Sequence, residues 1–202
     1  RGRNLHAKAG NLNFGLGLSD AEFVMVFDAD HIPRPDAIHQ LLGYFDDLCV
    51  GLAQAPQDFY NLTALQFVNA KSGAIWHDQS YFYSIILPNA DRFDGAICVG
   101  TGVIYRRSAL DAIGGVPVDT VTEDLHTSLK MHKAGIATAY HPAPVAYGIG
   151  ESSLSDYYKV RLRWAHGNIH ALRHYNVLFC KGLSLRQRFN YLLVGLNYLE
   201  GW

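Results

Sequence analysis

Residues 23–30 read FVMVFDAD. Five apolar residues, β-branched, aromatic or thioether, run straight into an acid-x-acid triplet, which is the pattern of a buried strand whose end turns polar. Pro33 and Pro35 then mark a turn. The stretch PDAIHQLLGYFDDL (35–48) has helical periodicity with proline in its first turn, and CVGLAQA (49–55) reads as a second strand. Strand, helix, strand is the signature of an α/β domain with a largely parallel sheet.

The rest of the chain extends that alternation. Segment 62–87 reads as mostly helical, with breaks near Gly73 and His77 and an end before Pro88. AICVGTGVIYRR (96–107) mixes strand formers with Gly100 and Gly102, so a backbone approaches something closely there. Ser108 can cap a short helix that stops at Gly114 and Gly115. Thr122 can cap the next helix, which Gly135 ends. IATAYH (136–141) is a further strand, and Ser155 can cap a long helix over 156–175. A shift in composition near residue 155 divides the chain into 1–154 and 155–202.

Composition excludes some classes. At 49% hydrophobic residues the chain is not disordered, and a net charge of -1 argues against a dedicated nucleic-acid binder. The even balance hides a block: seven basic residues and no acid between 157 and 190. Such a block suits an anionic ligand or an anionic membrane surface, or is simply a solvated basic face. The 14 residues of 189–202, FNYLLVGLNYLEGW, are too few to span a bilayer and suit an interfacial helix or the front of a longer apolar segment. Cys49, Cys98 and Cys180 are odd in number and widely spaced, so they read as free thiols.

Four stretches can carry chemistry. Asp28 and Asp30 lie two apart at a strand end, so their side chains leave on one side and offer hard oxygen ligands to Mg2+ or Mn2+. Lys8, in HAKAGNLN (6–13), sits among small residues where a lysine can meet phosphate oxygens as a point charge. Glu123 and Asp124 open a helix whose dipole favours an ionised carboxylate, the state a general base needs; at about 100° per residue only one of them can face a given atom. On the helix beyond 156, Val160, Arg163, Trp164 and Gly167 share a face, on which Arg163 can bind phosphate and Trp164 can stack on a sugar, while Arg161 points elsewhere. Each of these also has a plain structural reading: a loop acid pair, a surface lysine, a helix start, a packed amphipathic helix. A competing set, His166, His170 and His174 at i, i+4 and i+8, could bind zinc in a membrane-surface or metal-binding module with no enzymatic role.

Taken in order, HAKAGNLN (6–13), DAD (28–30), QAPQDFYN (54–61), VGTGVIYRR (99–107), TVTEDLHTSLKMHKAG (120–135) and RLRWAHG (161–167) resemble the membrane-embedded family 2 glycosyltransferases of the cellulose synthase type. The resemblance covers nearly the whole chain. It implies a GT-A fold over 1–154 lacking its first nucleotide-binding strand, then an Arg-Trp motif helix and membrane-interface helices over 155–202 leading to a transmembrane segment. It implies inverting transfer of a sugar, glucose above all, from a UDP-sugar to a growing β-linked glycan at the cytoplasmic face of the cell membrane. Carried over residue by residue, Lys8, Asp28 and Arg163 belong to donor binding, with Lys8 and Arg163 at the diphosphate, and His6 is counted among the substrate-binding residues. Asp30, with Asp28, contacts a divalent ion. Asp124 is the base and Glu123 its support, Gly100 and Thr101 lie near the acceptor end, and Trp164 stacks on its terminal sugar. The family's Gln-x-x-Arg-Trp motif has Val160 in place of its glutamine here, which leaves open a non-processive enzyme that adds a single or different sugar to a lipid or glycan. The chain is expected to be the central piece of a longer membrane enzyme, inactive by itself.

Overall fold

A computed structural model describes residues 6–69 and 75–196. The chain opens with helix α1 (Ala7–Leu16), so Lys8 sits in a first helical turn and not in the loop its small neighbours suggest. Strand β1 (Phe23–Val26) follows, then the short β2 (Ile32–Pro33) and helix α2 (Ala37–Leu42) with a 3₁₀ extension over Gly43–Asp46. Strand β3 (Val50–Gln54) is wholly buried and leads to β4 (Asp58–Phe59).

Segment 62–87 departs from the helical expectation. It contains an antiparallel pair, β5 (Phe67–Asn69) with β6 (Ile75–His77), built from FVN and IWH, whose β-branched and aromatic residues favour strands. The expected break at Gly73 lies outside the described residues. Helix begins only at Ser80, widens into a π-helical stretch over Phe82–Ile86, and runs through Pro88 in α3 (Leu87–Asp91). Proline is tolerated there because it stands in the first turn of the α segment, just after the widened turn.

Only Val103–Arg106 of the 96–107 stretch forms a strand, β7, because Gly100 and Gly102 take positive φ and bend the chain ahead of it. Helix α4 (Arg107–Ala112) starts directly from that strand, with Arg106 at the cap position and Ser108 inside the helix. Helix α5 (Glu123–Lys133) starts after Thr122, although the Thr122 side chain makes no capping bond, and Gly135 closes it at φ +74°. Strands β8 (Ala137–Tyr140) and β9 (Ala146–Gly148) precede the long α6 (Leu154–His174). Its cap is Ser153, two residues before the expected Ser155: Ser153 Oγ accepts from the Asp156 amide at 3.3 Å. Helix α7 (Leu185–Leu196) ends the described chain.

The central sheet has the order β1-β7-β3-β8. β1, β3 and β8 point one way. β7 runs against them between β1 and β3, so only β3 and β8 pair in parallel and the other two ladders are antiparallel. Alternation along β7 feeds two cores: Val103 and Tyr105 face α1, α4 and α5, while Ile104 faces α2. A third core joins α3 and α5 to Ala171, Val177, Tyr191 and Val194, so the inner sides of α6 and α7 share apolar packing with the sheet domain. Tyr191 anchors α7 by bonding the buried His132 at 2.7 Å. The other side of this region leaves Phe179, Leu185, Phe189 and Leu193 exposed. Among the described residues no helix is long and apolar enough to cross a membrane. No disulfide joins the three cysteines.

Candidate active site

The site is assembled on the loop between residues 98 and 102. Gln54, at the end of β3, is fully buried and holds that loop in both directions: its Oε1 accepts from the Val99 amide at 2.9 Å, and its Nε2 donates to the Thr101 carbonyl at 2.7 Å. Ser128 on α5 accepts from the Cys98 amide at 2.7 Å. The pinned loop turns at Gly100 with φ +87°. A Cβ there would sit 3.1 Å from Asp124 Oδ2 and 3.3 Å from Lys8 Nζ, so both charged groups close on this glycine.

Around it the distant acids meet. Lys8 Nζ donates to the Gly100 carbonyl at 2.6 Å and forms an ion pair with Asp28. The Asp28 amide donates to Thr101 Oγ1 at 3.1 Å. Burial alone would lower the Lys8 pKa, but the carboxylates of Asp28, Glu123 and Asp124 outweigh it and raise the pKa, so this lysine stays charged.

Asp124 differs from the expectation drawn from the helix start. Its Oδ1 does accept from the Leu125 amide at 2.8 Å, which favours ionisation. Burial and the negative charge of Glu123 push the other way and win, and the carboxyl is pushed up to about 7. The result is a carboxyl that titrates near neutrality.

Beside Asp28, the Asp30 carboxylate and the imidazole of His31 complete a cluster whose ligand atoms lie within 4.8 Å of one another. His31 Nδ1 is 3.1 Å from Asp30 Oδ1. Sequence reasoning missed His31, and the available signal was its place directly after the acid triplet. Two carboxylates and one nitrogen fit a divalent cation, Mn2+ more readily than Mg2+ because of the nitrogen.

On its other side Asp124 lines a cavity of about 250 Å³, together with Gln57, Tyr83, Arg161, Trp164 and Asn168. Here the expected helix face needs correction. Arg163 is exposed and lies outside the cavity wall, whereas Arg161 enters it. The two arginines flank the stripe of Gly167, Ala171 and Trp164 on opposite sides, about 160° apart at 100° per residue, and the cavity lies on the Arg161 side. Arg161 is paired with Asp78, which also accepts from Tyr157 Oη at 2.8 Å, and its guanidinium lies 4.5 Å from the Trp164 ring centre. His6 is exposed in a left-handed conformation before α1 and makes no side-chain capping bond. Val160 is half-buried.

Gly167 sets the distance between α6 and α5, because a Cβ there would overlap the buried Thr122 side chain. Gly167→Ala is therefore expected to push apart the helices that carry Trp164 and Asp124. Overpacking of this kind costs about 1–3 kcal/mol, read as a fall in Tm of roughly 2–4 °C per kcal/mol. An unchanged Tm in thermal unfolding would show that α6 does not rest on Thr122.

The family described as "Glycosyltransferase like family 2" matches residues 4–167. The chain is 36% identical over its whole length to the cellulose synthase catalytic subunit [UDP-forming] of Xanthomonas axonopodis pv. citri, covering 28% of that protein. It is 37% identical over its whole length to the protein of the same name from Pseudomonas fluorescens, covering 27%, and 36% identical over 98% of its length to cellulose synthase 1 of Komagataeibacter xylinus, covering 13%. It thus spans under a third of these curated relatives. In structure it is similar to the mannosyltransferase PcManGT from Pyrobaculum calidifontis, solved with GDP-Man and Mn2+, with a TM-score of 0.66 at 20% identity over 94% of this chain and 49% of that one. The S. aureus TarS fragment 1–349 aligns with a TM-score of 0.52 at 14% identity, over 94% of this chain and 50% of that one. These likenesses establish the GT-A fold.

Proposed function

This chain belongs to glycosyltransferase family 2, and from that premise we propose that it carries the catalytic centre of an inverting transferase that moves glucose from UDP-glucose to a growing β-linked polysaccharide. The observation that carries the reading is the position of Asp124. Its carboxylate stands between the Lys8, Asp28, Asp30 and His31 cluster on one side and the Trp164-lined cavity on the other.

That arrangement suits a single displacement. The acceptor's terminal sugar lies in the cavity against Trp164, an indole that stacks on sugar faces. The Asp124 carboxylate takes the proton of the acceptor hydroxyl as its oxygen attacks the anomeric carbon. The bond from that carbon to the diphosphate oxygen breaks, the configuration inverts, and UDP leaves. Lys8 holds a positive charge where the diphosphate would lie. Asp28, Asp30 and His31 would hold Mg2+ or Mn2+, and when bound the ion offsets charge developing on the leaving group. The exposed apolar side of the α6–α7 region and its acid-free basic block suit attachment to the cytoplasmic face of an anionic membrane.

The test is incubation of the intact protein in membranes with labelled UDP-sugars and Mg2+ or Mn2+. Incorporation of glucose into long β-linked product is expected. A uniform product one sugar longer than its acceptor would favour the second reading, a non-processive transferase. Val160 motivates that reading, because a valine there gives the acceptor no hydrogen bond. No incorporation from any UDP-sugar would reject both.

A further inference from the structure

On the flank of α6 away from the cavity, four histidines meet. His170 and His174 on α6 have ring centres 5.6 Å apart, and His126 on α5 lies 5.6 Å from the first and 6.1 Å from the second. The three rings thus form a nearly equilateral triangle drawn from two helices. His166 touches only the edge of this group, 6.5 Å from His170. His126 is fully buried, and neither of its ring nitrogens has a hydrogen-bond partner. A buried imidazole in that state is unusual, since both nitrogens are strong hydrogen-bonding or metal-binding atoms.

We propose that His126, His170 and His174 form a binding site for a transition-metal ion of the zinc class, one that ties α5 to α6. Three imidazoles on one zinc, at 2.0–2.1 Å per nitrogen, have ring centres roughly 5 Å apart. The observed ring-centre spacings lie within about 1 Å of that value, but the ring nitrogens do not yet converge on one point and do so only when the rings turn. The rings now lie nearly face to face, at 14° between His126 and His170 and 19° between His170 and His174. Binding requires His170 and His174 to turn edge-on, and both side chains are exposed. The groups acting on His126 from its surroundings are Asp119, whose negative charge favours a cation, and Lys130, which opposes it. The Tyr175 ring closes one side, its centre 5.2 Å from that of His126, and the Lys133 ammonium lies 5.1 Å from the Tyr175 ring centre, a second positive charge near the site. An all-nitrogen donor set selects zinc, cobalt or nickel over magnesium, so the site is chemically distinct from the Asp28, Asp30 and His31 cluster. His126 lies two residues after Asp124, so the ion would brace the helix carrying that carboxylate against the helix carrying Trp164. This proposal does not depend on which sugar is transferred, or on transfer at all.

The experiment titrates Co2+ and Zn2+ into the intact protein carrying Asp30→Asn, which silences the carboxylate cluster. One metal per chain is expected, with the visible absorption bands of tetrahedral cobalt. His170→Ala and His174→Ala, both at exposed positions, should each weaken binding by at least tenfold and abolish the bands, and His126→Gln should do the same if it folds. His166→Ala should leave binding unchanged. No stoichiometric metal would overturn the proposal. So would bands that survive the paired His170→Ala and His174→Ala change, or an equal loss in His166→Ala, which would place any bound ion on the outer row of α6.

Discussion

Asp124→Asn should abolish sugar transfer while leaving UDP-sugar binding intact. The amide keeps the shape of the side chain and can still accept from the Leu125 amide, but it cannot take a proton. General-base removal typically costs 10²–10⁴ in rate, roughly 3–5 kcal/mol of barrier. Stability should move the opposite way. The folded-state pKa of Asp124 is raised to about 7, well above its value in an unfolded chain, so the folded state binds this proton more tightly. Its contribution to stability is present at low pH and is lost as pH rises through about 7. At pH 8 the charged carboxylate is a burden on the fold, and the asparagine relieves it. A Tm held or raised, with transfer lost, identifies the base; a lowered Tm would point to misfolding. The same raised pKa predicts that kcat/KM falls about tenfold per pH unit below roughly pH 7 and levels off above it. Glu123→Gln removes the neighbouring negative charge and should move this acid limb to lower pH. A limb that stays in place would mean that Glu123 does not act on the base.

The second large effect concerns the metal. Chelation should stop transfer, and added Mn2+ or Mg2+ should restore it. Asp30→Asn should weaken Mn2+ binding by more than the 10–100-fold typical of groups that only support a ligand, as measured by direct Mn2+ titration. His31→Ala is the sharper test. Its nitrogen favours Mn2+, so its loss should reduce Mn2+ affinity more than Mg2+ affinity. Equal losses for the two ions, or none, would remove His31 from the ligand set.

Much of this molecule can be read from local pattern, and for a physical reason. FVMVF and CVGLAQA became β1 and β3 because such apolar runs pack into a sheet, although β3 is wholly buried and β1 is half-buried except at Val26, and DAD sits at a strand end because polar groups must leave the core there. The motif order named the family without any coordinates. Local pattern failed where a helix face or a ladder is chosen by a neighbour. FVN and IWH lie in a stretch with helical features yet pair as antiparallel strands, and β7 inserts antiparallel between β1 and β3.

The sequence by itself determined the fold class, the family, and which carboxylates lie at a strand end and a helix start. Only the tertiary structure decided the rest: that Arg161 and not Arg163 enters the cavity, that His31 joins Asp28 and Asp30, and that burial beside Glu123 overrides the helix dipole at Asp124. Spacing along a chain sets which side chains can share a surface. The choice among those surfaces, and the desolvation that sets a carboxyl's pKa, depend on what packs against them from residues a hundred positions away.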